Sequence, residues 1–126
     1  AAALPVDAVI TLDRTADTWA PKTVRASAGV VFRLSVAHAT AEEAIREITK
    51  VGVPIWVADP GAPSLKAKPD DRGFALVLAN EGAGPREAVL DAADHMVRVP
   101  ISGQVDSLNV AIAGAILLYE LTKTED

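Results

Sequence analysis

Val99-Pro100-Ile101-Ser102-Gly103-Gln104-Val105-Asp106-Ser107-Leu108-Asn109-Val110 leads without a break into the apolar run Ala111 to Leu121. A polar loop that feeds a helix in this way sets the plan of the chain. Ser107 or Asp106 is placed to cap the helix, because its first turn has N–H groups that a short side-chain oxygen accepts. Leu108 and Asn109 then fall in the first turn, where backbone donors and side chains converge on a ligand. Beyond them Val110, Ala111, Ile112, Ala113, Ala115, Ile116, Leu117 and Leu118 leave almost no polar face, so the helix needs cover on nearly every side. A chain of 126 residues can hardly supply it alone, which points to a subunit interface.

Working outward, the length suits one domain with a real core. Hydrophobic residues make up 50% and aromatics only 4%, the composition of a layered α/β core of small aliphatics. No cysteine is present, which excludes disulfides and thiolate chemistry and is compatible with a reducing cytoplasm. The first residues, Ala1-Ala2-Ala3-Leu4, do not read as a signal peptide, and no apolar run approaches the roughly 20 residues of a membrane span. A net charge of −5 argues against gripping nucleic acid by bulk charge, so an RNA partner would need a local patch or another domain.

In chain order, Val6–Leu12 is β-branched and bounded by polar residues, a strand signal. Pro21 opens a short helix over Lys22–Ala28 stopped by Gly29. Arg33–Ala37 reads as a second strand. Thr40 and Glu43 have capping-box spacing and start a helix that ends at Gly52. Val53–Ala58 is a third strand, and Asp59-Pro60-Gly61 a turn. Phe74–Leu78 is a continuous apolar run, as in a strand buried on both faces. Pro85–Ala93 is a helix and His95–Val99 the last strand. Strands alternating with helices give an α/β fold with a mostly parallel sheet and helices on both faces.

The block Val99-Pro100-Ile101 with Ser107-Leu108-Asn109-Val110 resembles motif 3 of the SpoU (TrmH) family of RNA 2′-O-ribose methyltransferases, in the SPOUT superfamily. Leu76-Val77-Leu78-Ala79-Asn80-Glu81-Gly82-Ala83-Gly84 resembles the family's motif 2, at a matching separation, and Pro21–Gly29 also reads like the family. Two ordered motifs weigh far more than either one. The resemblance implies a SPOUT-type α/β knot with a C-terminal trefoil knot, a homodimer, S-adenosylmethionine as cofactor, rRNA or tRNA as substrate, no metal and no membrane.

Carried over residue by residue, the cofactor positions fall on Ala79, Val99 and Leu108, with Gly82 and Ile101 in the same two loops. Ala79 stands where the family usually has glycine. The polar trio Glu81, Ser107 and Asn109 carries the expected catalytic work. Glu81 either accepts from a ribose hydroxyl, orients an arginine or caps the next helix; Ser107 either binds or caps. Asn109, opening an apolar helix, is expected to need a buried partner and to position the catalytic machinery or the target ribose. Lys22 and Arg25 resemble positions near the RNA-facing surface.

The family's proposed base is an arginine in N-x-G-x-I-x-R-T-A, a motif not found in these residues. The chain therefore reads as a C-terminal catalytic domain without its first strand and that arginine. The rival readings are a non-catalytic cofactor-binding or dimerisation module of the same fold, and another α/β nucleotide-binding domain, which the absence of G-x-G-x-x-G and of a phosphate-loop motif counts against. His38 and His95 lack metal-ligand spacing, and Trp19 reads as a loop anchor or a base-stacking side chain.

Overall fold

The computed structural model describes residues 1–64, 68–80 and 82–123. They form two compact units, Ala1–Ala44 and Ile45–Asp126.

In the first unit, β1 (Ala8–Leu12) pairs in parallel with β2 (Ser35–Ala39), Thr11 lying opposite His38. Between them come α1 (Pro21–Ala26) and a 3-10 turn at Val30–Arg33. Pro21 fits the first position of α1, where no N–H is needed. Helix α1 is shorter than its sequence suggested because Ala28 and Gly29 both take positive φ, 50° and 80°, and turn the chain into the 3-10 segment. That segment displaces the start of β2 from Arg33 to Ser35.

Helix α2 (Ala41–Val51) starts at the capping box expected from the sequence. The Glu43 backbone N–H donates to Thr40 Oγ1 at 3.2 Å, and the Thr40 N–H donates to Glu43 Oε2 at 2.9 Å.

The second unit is built on β3 (Ile55–Ala58), flanked in parallel by β4 (Ala75–Val77) and β5 (His95–Val97). The register is pinned at both ends. Asp94 Oδ2 accepts from the Ile55 N–H at 2.8 Å, the Asp94 N–H donates to the Ile55 carbonyl, and the Ala75 N–H donates to the Pro54 carbonyl. At the other end the Asp59 N–H reaches the Val97 carbonyl at 3.0 Å. The three strands therefore finish level, and the turns that follow them open on the same edge.

Helices α3 (Glu87–Asp91) and α4 (Val110–Thr122) complete the unit. Trp56, Val97, Leu117 and Leu121 form its core, with Ala58, Phe74, Leu76 and Val99 packed against it. The continuous apolar run of β4 is half-buried throughout rather than sealed on both faces. The parallel α/β class holds, as two sheets, β1-β2 and β4-β3-β5. Among the described residues no helix is long and apolar enough to cross a membrane.

Two expectations for α4 need correction. The helix starts at Val110, so Leu108 and Asn109 precede it, and neither Ser107 nor Asp106 caps it. The cap is Asn109, whose non-helical backbone (φ −51°, ψ 136°) lets Oδ1 accept from the Ala111 N–H at 2.9 Å. Asn109 is also exposed, not a buried amide seeking a partner. Replacing it with alanine is expected to cost about 1 kcal/mol of stability, read from the midpoint of urea unfolding.

Candidate cofactor site

Strand-to-helix turns at the carboxyl ends of parallel strands are where α/β folds hold ligands. In the second unit the segments following β3, β4 and β5 meet there with the segment before α4, around a cavity of about 200 Å3. The turn after β4 contributes Leu78, Ala79, Asn80 and Gly84, and the loop after β5 contributes Val99, Ile101, Asp106, Ser107 and Leu108. Two loops well separated in the chain thus form one wall. Val110, Ala113 and Leu117 of α4 supply the other, so the apolar helix serves both core and cavity.

The cofactor residues read from sequence largely assemble here. Ala79, Val99, Ile101 and Leu108 line the cavity, as does Ser107. Gly82 sits in the same turn without lining it, and Asn109 stands at the helix cap outside it. Glu81 lies outside the described residues. Lys22 and Arg25 are exposed on α1, in the other unit.

Sequence reading missed Asp59, Pro60 and Arg98 on the rim. The signal was available, since Asp59 directly follows the central strand, where the same α/β rule applies. Leu78 was read as strand and motif 2 but not as a site residue; it is 39% exposed and lies against α4, a Cβ on Gly114 falling 2.5 Å from its Cδ1.

An adenosine-sized ligand calls for an apolar slot with a few polar groups to fix its direction. The lining matches: alanine, valine, leucine and isoleucine walls, with Asn80, Asp106 and Ser107 at the edge. Asp59 Oδ1 is committed to the Gly61 N–H at 2.7 Å, whereas the Ser107 hydroxyl has no partner among the described residues. The turn geometry also leaves room, because a Cβ on Gly82 or Gly84 would meet nothing within 4 Å. No group of three or more metal-ligating side chains occurs among the described residues. His95 instead stacks on Trp56, ring centroids 4.2 Å apart.

Residues 1–119 match the model of the SpoU rRNA Methylase family. The chain belongs to that family. It is 39% identical over 118 residues to the 23S rRNA (guanosine(2553)-2′-O)-methyltransferase RlmP of Bacillus subtilis, covering 92% of this chain and 47% of that protein. The AdoMet-bound rRNA methyltransferase from Sinorhizobium meliloti superposes with a TM-score of 0.83 at 32% identity, over 95% of this chain and 47% of that one. The SpoU methyltransferase AviRb from Streptomyces viridochromogenes, in complex with AdoMet, gives 0.80 at 28% identity, over 95% of this chain and 48% of its own. The SpoU chain described here thus spans about half the length of the relatives it matches.

Proposed function

We propose that this SpoU-family chain is the S-adenosylmethionine-binding part of an RNA ribose 2′-O-methyltransferase that acts on rRNA or tRNA in the cytoplasm. The observation that carries the reading is the convergence of the Leu78–Gly84 turn and the Val99–Leu108 loop on one apolar cavity at the carboxyl edge of β4-β3-β5.

In this reading Ala79, Val99, Ile101 and Leu108 hold the adenosine by apolar contact and shape. Gly82 lets the motif 2 backbone come close. The bound cofactor supplies a methyl group on a positively charged sulfur. Residues of the chain do the positioning, which accounts for much of the rate in a transfer of this kind. Ser107 offers its free hydroxyl to the ligand or the target ribose. Asn109 spends Oδ1 on the cap and keeps its Nδ2 amide for the ribose, while the cap itself fixes Leu108 one residue away. Glu81 is assigned to a ribose hydroxyl, and Lys22 and Arg25 to phosphates. The 2′-hydroxyl proton needs an acceptor, which the resemblance assigns to an arginine of a motif not present in the 126 residues.

A homodimer formed on α4 completes the proposal. Ile112, Ile116 and Tyr119, at helical spacing, are 55%, 38% and 56% exposed, a stripe the described residues leave uncovered. Calorimetric titration of the full-length protein with S-adenosylhomocysteine tests the cavity, and micromolar binding is the expected result. A folded protein that binds none overturns the reading; binding without methyl transfer to RNA selects the non-catalytic module instead.

A further inference from the structure

The first unit carries a second cavity, of about 320 Å3, at the carboxyl end of its own strand pair. Its polar lip is Thr11 and His38, register partners whose Oγ1 and Nδ1 lie 3.2 Å apart. Trp19 forms part of its wall, and is 54% exposed. Phe32, 68% exposed, lies with its ring centroid 6.0 Å from that of Trp19.

Leaving two large aromatics in water is costly unless something covers them. Nor is the display a loose loop. Asp17 Oδ1 accepts from the Trp19 N–H at 2.9 Å, and the Asp17 carbonyl accepts from the Ala20 N–H and from Thr23 Oγ1. The indole is therefore presented on a braced turn.

The segment that carries Trp19 and Phe32 has the reverse of the molecule's charge. Residues 14–33 hold Arg14, Lys22, Arg25 and Arg33 against the single carboxylate Asp17, a surplus of three positive charges in a chain of net −5. All four cations are exposed, and none has an ion-pair partner among the described residues. Stackable rings on a cation-rich segment, next to a lip on which Thr11 Oγ1 is hydrogen-bonded to the Ala37 carbonyl and His38 Nδ1 while His38 keeps Nε2, suit an unpaired nucleotide: a face for its base, an imidazole nitrogen for its edge, and charge for its phosphates.

We propose that Trp19 and Phe32, with the Thr11–His38 lip, form a stacking platform for an unpaired RNA base, and that the cations of residues 14–33 hold the flanking phosphates. This deepens the RNA methyltransferase reading and rests on it, but it uses residues distinct from the methyl-donor cavity.

The test titrates the full-length protein with a short single-stranded oligoribonucleotide at fixed salt, following indole fluorescence and the anisotropy of labelled RNA. Stacking is expected to quench Trp19, whereas Trp56, 2% exposed, is out of a base's reach and adds a constant background. Trp19→Phe is expected to abolish the quench while keeping most of the affinity. Trp19→Ala is expected to weaken RNA binding about tenfold, and Phe32→Ala severalfold, with S-adenosylhomocysteine binding unchanged in both. Cofactor binding together with undiminished RNA affinity in Trp19→Ala overturns the platform and spares the donor site. Quenching in a protein that binds no S-adenosylhomocysteine supports the platform and sinks the donor site. If Trp19→Ala alters self-association and not RNA affinity, the aromatic pair is a protein contact and the proposal fails.

Discussion

Leu108→Arg is expected to weaken S-adenosylhomocysteine binding at least about a hundredfold while leaving the fold intact. Leu108 is half-buried, lines the cavity beside Val99 and Ile101, and lies outside every strand, helix and the core cluster. An arginine there places a long cationic side chain in a space of about 200 Å3 whose walls are mostly aliphatic. The longer side chain occupies the space that the ring would take, and its cation is poorly matched to the aliphatic walls. Calorimetry reads the affinity and far-UV circular dichroism the fold. Leu108→Met, close in volume, should stay within a fewfold of the parent. Equal affinity in Leu108→Arg and the parent would place the ligand elsewhere.

The second large effect is on stability. Trp56 lies on the central strand β3, 2% exposed, with Phe74 edge-on at 6.4 Å, the His95 ring at 4.2 Å, and Val97, Leu117 and Leu121 in the same cluster. Truncation to alanine removes most of that packing and should cost about 3–5 kcal/mol, a large part of the roughly 5–15 kcal/mol that keeps a domain folded. Urea unfolding followed by circular dichroism measures it. Trp56→Phe should cost far less than its lost volume suggests. The indole Nε1 is buried without a hydrogen-bond partner among the described residues, so phenylalanine also removes a penalty of about 1–3 kcal/mol. A Trp56→Ala protein as stable as the parent would show that the core is not centred on β3.

How much of this was legible in the sequence varies with the range of the forces involved. The Thr40/Glu43 box is a contact across three residues, and it stands as read. The start of α4 was misjudged because Asp106, Ser107 and Asn109 are all competent caps, and only the path of the chain into the helix selects one. Val30-Val31-Phe32-Arg33 is β-prone by composition, yet the left-handed turn at Gly29 directs it into a 3-10 segment, a case of backbone geometry overriding propensity. At the candidate site the motif residues Ala79, Val99, Ile101, Ser107 and Leu108 were identified from the resemblance and share one cavity. Asp59 and Arg98 were not: the strand-end rule would have pointed to Asp59, which directly follows β3, whereas Arg98 sits at the end of a strand that the sequence extended to Val99.

The close approach of Leu78 to Gly114 has an evolutionary corollary. With a Cβ at position 114 lying 2.5 Å from Leu78 Cδ1, any larger residue would displace that side chain, which also lines the cavity. Drift at a silent-looking helix position would thus retune ligand selectivity without changing the identity of a single lining residue, and a designer wishing to reshape the slot would begin there, behind the wall.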